Sequence, residues 1–230
     1  MTATADRLDH RIPERELMDE ADQACAYAVA DFSEVNQGFV DRFCATFSDL
    51  RAGRVVDLGC GPADIPLRLA RALPGIEIIA VDGARAMLHH ARVALIASGL
   101  GRRVHLTAAR VPAMPFGARG FAACVSNSLL HHLPDPLSLW REIRRIARPG
   151  APVLVMDLFR PATRAAAREI VERSAGQESP VLRRDFYNSL LAAFTVDEVR
   201  AQLEESGLGR CACEVVSDRH WLVAGHTPAR

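Results

Sequence analysis

Val55-Val56-Asp57-Leu58-Gly59-Cys60-Gly61-Pro62-Ala63-Asp64 is the stretch that decides how this chain folds. Two β-branched residues carry a buried strand to its carboxyl end, where Asp57 presents a carboxylate. Gly59 and Gly61 give a turn with no Cβ in the way of a ligand. Pro62 cannot extend a strand, and a helix-like pattern starts soon after it. A strand, a glycine turn and a helix in this order build a nucleotide cradle at the carboxyl edge of a parallel sheet.

The residues around the glycines say which nucleotide is held. A dinucleotide fingerprint needs a third glycine at the position that Asp64 occupies, and a phosphate loop needs a lysine that does not follow. Acids before and after the turn repel pyrophosphate but suit a ligand that carries a cation, such as an amino group or a sulfonium. A second apolar run, Ile78-Ile79-Ala80-Val81-Asp82, ends in a carboxylate about 20 residues beyond the turn, the spacing at which an acid grips a ribose diol. Asp82 also reads as a cap for the helix starting near Ala84, and the two roles coexist.

The stretch resembles the first motif of class I S-adenosylmethionine-dependent methyltransferases, and the resemblance runs from about Arg54 to Phe159. Val111-Pro112-Ala113-Met114-Pro115-Phe116 is similar to the segment that reads Asp-Ala-x-x-Leu-Pro-Phe in the family's small-molecule members. There the aspartate binds the adenine amine; here Arg110 stands in its place, with donors and no acceptor, which leaves stacking on the ring, reading by the backbone of Val111, or a plain solvated arginine at a strand end. Phe121-Ala122 departs from the family's Phe-Asp, and the loop Asn127-Ser128-Leu129-Leu130-His131-His132 follows it. The resemblance implies cofactor contacts at Asp57, Gly59, Cys60, Gly61, Asp64, Asp82, Gly83, Met87, Arg110, Val111, Asn127, Ser128 and His132. It implies S-adenosylmethionine as cofactor and S-adenosylhomocysteine as product.

The wider pattern is α/β: strands near 54–59, 77–82, 103–108, 121–126 and 152–158 alternate with helices, as in a doubly wound, mostly parallel Rossmann-like sheet. Two last strands, Cys211 to Val216 and His220 to Ala224, are separated by three residues, which demands an antiparallel pair. A seven-stranded sheet closed by a terminal hairpin is what the resemblance implies. One domain of 230 residues is expected: a helical cap over 1–50, a cofactor core over 51–160, a helical substrate insert over 161–194, and a last helix with the hairpin over 195–230. Thr195-Val196-Asp197-Glu198 reads as a capping box that opens the last helix.

Twenty-eight basic residues balance 28 acidic ones, so no footprint of nucleic-acid binding is visible. No apolar run approaches membrane-spanning length, and Met1 to Asp6 does not read as a signal peptide, which points to the cytoplasm. The six cysteines form no Cys-x-x-Cys pair and read as reduced thiols, and no metal-ligand spacing appears. Monomer and homodimer both remain open. Arg11 to Phe47 and Pro161 to Phe194 are the segments that set the substrate. His131 and Tyr187 are the candidates for the acceptor's proton, and Tyr27, His131 and Tyr187 for substrate contact. The expected reaction is in-line methyl transfer to a small-molecule nucleophile. A nicotinamide-dependent oxidoreductase and a non-catalytic binder of the same cofactor are the alternatives.

Overall fold

A computed structural model describes residues 6–14 and 17–229; the reading of Met1 to Asp6 falls almost wholly outside them. Seven strands form one sheet in the order β3-β2-β1-β4-β5-β7-β6. They are β1 (Gly53–Leu58), β2 (Ile76–Asp82), β3 (Val104–Ala108), β4 (Ala123–Asn127), β5 (Pro152–Leu158), β6 (Ala212–Val215) and β7 (His220–His226). The first five pair in parallel, whereas β7 lies antiparallel between β5 and β6.

The strand residues alternate between two cores, as a period of two requires when both sheet faces are covered. Val56, Leu58, Cys124, Val153 and Val155 face helices α5 (Leu137–Ile146) and α8 (Val196–Glu205), against Trp140, Ile143, Val199 and Leu203. Val55, Ile78, Ala80, Val125, Leu154 and Met156 face α2 (Ser33–Thr46), α3 (Asp64–Ala72) and α4 (Arg85–Ser98), against Phe39, Phe43 and Leu69. Thr195 and Glu198 close a reciprocal capping box on α8, and Gly207, at φ +72°, follows its end.

Two layers lie over the carboxyl edge of the parallel strands. One is α1 (Ala21–Val29) with the chain that precedes it; the other is the pair α6 (Arg164–Ala175) and α7 (Pro180–Ala192). Ser179 caps α7 with Pro180 in its first turn. The leading chain is pinned onto this pair by Leu8 N–H to Ala162 O and Ile12 N–H to Leu191 O. Arg11 spends its donors on the carbonyls of Ala192, Leu133 and His131, with its guanidinium over the Phe194 ring. No helix among the described residues is long and apolar enough to cross a membrane.

Candidate active site

Between the strand ends and these covering layers lies a cavity of about 700 Å³. Its floor begins with the glycine turn. Gly59 N–H and Cys60 N–H both donate to Val81 O, folding the turn back onto β2. Gly59 sits at φ +78°, where a Cβ would meet the Leu129 side chain at 2.9 Å, so both conformation and space call for glycine. Asp82, at the end of β2, accepts Ala84 N–H on one oxygen and Gly61 N–H on the other, each at 2.8 Å. Each oxygen keeps a lone pair for a ligand hydroxyl. Burial leaves the Asp82 carboxyl above its ordinary pKa even though both amides lower it.

A relay of amides sets the next wall. Asp64 Oδ2 accepts from Asn36 Nδ2 at 2.9 Å, and Asn36 Oδ1 faces Asn127 Nδ2 at 3.5 Å. The Asn127 carbonyl oxygen is left buried without a partner, as is that of Gln23, and both residues line the cavity. Buried acceptors of this kind are matched by donors on a ligand. Ser128 adopts φ +56°, turning the chain from β4 toward the short 3₁₀ segment Leu130–His132. Tyr27 lies with its ring over Gly61 and beside Phe32. Burial, with help from Asp82, Asp157 and Asp64, pushes its phenol up to about 12, so Tyr27 acts as a donor and not as a base.

The opposite wall carries two histidine–carboxylate contacts. His131 is 2% exposed; its Nδ1 lies 2.5 Å from Asp157 Oδ1, and its backbone N–H reaches the other oxygen. Burial lowers the His131 pKa, but Asp157 outweighs it and the net shift is upward. Burial likewise raises Asp157, and His131 brings it below the ordinary carboxylate value. His132 Nδ1 lies 2.7 Å from Glu14 Oε2. His220 completes this end with Ser217 on its Nδ1; burial and Arg219 lower it to about 4, so its ring is neutral.

Of the residues expected from the sequence, Tyr27, Gly59, Gly61, Asp82, Met87, Asn127, Ser128, His131 and His132 line this cavity. The other seven, Asp57, Cys60, Asp64, Gly83, Arg110, Val111 and Tyr187, lie around it. Asp57 points into the core beneath the turn, and Cys60 packs among the residues of the α2–α3 side. Asp64 is engaged by Arg68 and Asn36 and acts through the latter. The Arg110 side chain passes over Gly83, where a Cβ would meet its Cγ at 2.9 Å, and Val111 packs against the α5 side. On α7 the cavity is lined by Leu182, Asp185, Phe186 and Ser189, with Arg184, Asn188 and Leu191 beside them; Tyr187 is not among the lining residues and sits under Arg168 of α6.

Glu14, Asp157, His220, Gln23 and Asn36 were not found by sequence reasoning. Asp157 was legible in principle: it closes β5 beside β4, whose following loop carries the histidine pair.

Buried Asp57 is pushed up to about 8 by desolvation and by Asp82. A carboxyl raised in the folded state stabilises below its unfolded pKa, and that contribution is lost as pH climbs through the folded one. Asp57→Asn has no such loss. Its melting temperature relative to wild type should therefore be higher at about pH 9 than at about pH 5. An offset that does not change with pH contradicts a raised Asp57.

An open α/β sheet closed by a β5-β7-β6 edge, with a glycine turn and a ribose-spaced acid at its switch point, defines a class: the nucleoside-cofactor methyltransferase fold. Residues 55–150 match the sequence profile of a methyltransferase domain. The chain is 27% identical over 190 residues to a 27-O-demethylrifamycin SV methyltransferase of Amycolatopsis mediterranei, covering 82% of this chain and 65% of that one. It is also 27% identical over 199 residues to the ubiquinone/menaquinone biosynthesis C-methyltransferase UbiE of Hahella chejuensis, covering 81% and 78%. This chain thus spans just under two thirds of the rifamycin relative's length. The fold is shared with a SAM-dependent methyltransferase from Aquifex aeolicus (TM-score 0.65, 16% identity, 90% of this chain and 98% of that one). It is shared as well with the [4+2]-cyclase SpnF (TM-score 0.62, 15% identity, 96% and 88%). Over residues 55–150 the chain is thus similar to a methyltransferase domain, and its fold is the one shared by S-adenosylmethionine-dependent methyltransferases.

Proposed function

We propose that this protein transfers a methyl group from S-adenosylmethionine to an oxygen of a small organic molecule, in the cytoplasm. The observation that carries the reading is one cavity joining the Gly59–Asp82 floor to the His131–His132 wall. Its volume is larger than a cofactor alone requires and falls in the range of small-molecule sites. The residues present fit the cofactor. Asp82 offers lone pairs for a diol, Asn127 and Gln23 offer unpartnered carbonyl oxygens for an ammonium, and the turn is bare where a ligand approaches.

When bound, the cofactor supplies a methyl group already activated on a sulfonium. The protein's task is alignment and enclosure. Holding reactants in line contributes up to about 7–11 kcal/mol in the most favourable models. The leading chain and α7 line the site and shield it in part from solvent, which strengthens charge interactions inside it. At the acceptor end, Asp157 takes His131 Nδ1, so Nε2 is the ring nitrogen free to receive a hydroxyl proton. One relative is named for methylation at an oxygen and another, at equal identity, for methylation at a carbon; the His131–Asp157 pair is what supports oxygen here.

Methyl transfer from isotope-labelled S-adenosylmethionine to a panel of phenols and enols tests the reading. Labelled product should form, with S-adenosylhomocysteine in equal amount. Tyr187→Phe should retain wild-type turnover, because Tyr187 lies outside the cavity. A loss of turnover in a folded Tyr187→Phe would place α7 differently.

A further inference from the structure

The acceptor wall holds more than a base. Glu14, His131 and His132 each offer one ligand atom, and these atoms lie within 4.8 Å of one another. We propose that these three side chains bind a divalent transition-metal ion at the acceptor end of the cavity, an inference that rests on the function proposed above.

Four observations on independent atoms converge. Two imidazoles and one carboxylate are the donor set of borderline divalent ions such as Zn²⁺, Fe²⁺ and Co²⁺, whereas Mg²⁺ and Ca²⁺ prefer oxygen. Asp157 grips His131 Nδ1 at 2.5 Å, the carboxylate–histidine contact that fixes a ligating ring and makes its other nitrogen a better donor. Glu14 Oε1 and His132 Nδ1 are buried with no aligned hydrogen-bond partner, although the two side chains approach to 2.7 Å. Such atoms ask for an ion or a donor that satisfies them. Finally, Glu14 is delivered by a chain segment that Arg11 and Ile12 hold in place, so the carboxylate is set before any ion arrives.

The local charge agrees. Glu14 and Asp157 contribute two negative charges and Arg11 one positive, and the Arg11 donors are already used by carbonyls. Three protein ligands leave coordination positions for the acceptor. An acceptor oxygen bound there loses its proton to water, the O–H bonding pair staying on oxygen, because a bound cation lowers the pKa of an oxygen ligand. The ion uses the Nε2 lone pair that a histidine base would need, so in the loaded protein it replaces His131 as the activating group.

The test is titration of chelator-treated full-length protein with Co²⁺ alone, followed by its visible absorption and by calorimetry. One equivalent should bind with bands of nitrogen–oxygen coordination. Glu14→Gln and His132→Gln should each weaken binding by at least roughly 10–100-fold, the scale seen even for outer-shell changes. A His89→Gln/His90→Gln variant, which removes the adjacent histidine pair on α4, should bind as wild type does. Melting curves and S-adenosylhomocysteine binding establish that each variant is folded. No binding, or binding unchanged by Glu14→Gln and His132→Gln, overturns the site. Either result leaves the cofactor reading standing, since S-adenosylhomocysteine binding is measured separately.

Discussion

Asp157→Ala is expected to lower the melting temperature by about 6–20 °C. The magnitude follows from the cost of breaking a buried pair, about 3–5 kcal/mol, and from about 2–4 °C per kcal/mol for a chain of this size. Asp157 is fully buried at the end of β5 and accepts from His131 Nδ1, His131 N–H and Leu158 N–H. Alanine removes both acceptor oxygens, and with them three hydrogen bonds, and leaves buried donors unpaired. The 3₁₀ segment that carries both histidines loses its anchor to the sheet. Asp157→Asn keeps the volume and one acceptor and should fall between alanine and wild type. Thermal unfolding measures the effect; a shift under about 2 °C for alanine would mean that the pair contributes less than about 1 kcal/mol.

Asp82→Ala is expected to weaken S-adenosylhomocysteine binding by roughly 10²–10⁴-fold. A hydrogen bond to a charged group contributes about 1.5–3 kcal/mol, and a diol makes two of them. The same substitution frees Gly61 N–H and Ala84 N–H, which the carboxylate holds at 2.8 Å, so the turn also loses its tie to the start of α4. Calorimetric titration separates this from unfolding, since the variant's melt can be followed in the same sample. A loss below about 10-fold would remove Asp82 from the cofactor's contacts.

The sheet was legible because β1, β2, β4 and β5 are runs of five to seven residues that end at or beside Asp57, Asp82, Asp157 or the serine and asparagine before the histidine pair. The three-residue link after Val216 dictated antiparallel pairing of the last two strands. It carried no information on their order, and β7 rather than β6 lies against β5. That choice is made by packing, with Trp221 and Val223 buried on one face and Leu222 on the other. Helix α7 was less legible. Its Ser179-Pro180 start is a cap signature, but the segment was expected only as part of a helical insert over 161–194, without bounds of its own. Without the helical period, Tyr187 could not be told apart from the Phe186 and Ser189 side that faces the cavity.

The floor of the site was legible because its glycines and acids are local motifs. The acceptor wall was not, because it is assembled from residues far apart in the chain. Glu14 meets His132, and Asp157 meets His131, across separations that no spacing rule encodes. Asp57 belongs to the same motif and is buried with its neighbours at the end of β1, a burial that its charge alone would not announce.

The measurement that tests the central claim most directly is calorimetric titration of the wild-type protein with S-adenosylmethionine, S-adenosylhomocysteine and NAD. The account predicts saturable binding of both sulfur ligands, lost in Asp82→Ala, and no heat from NAD. Binding of NAD with silence from the other two would contradict it.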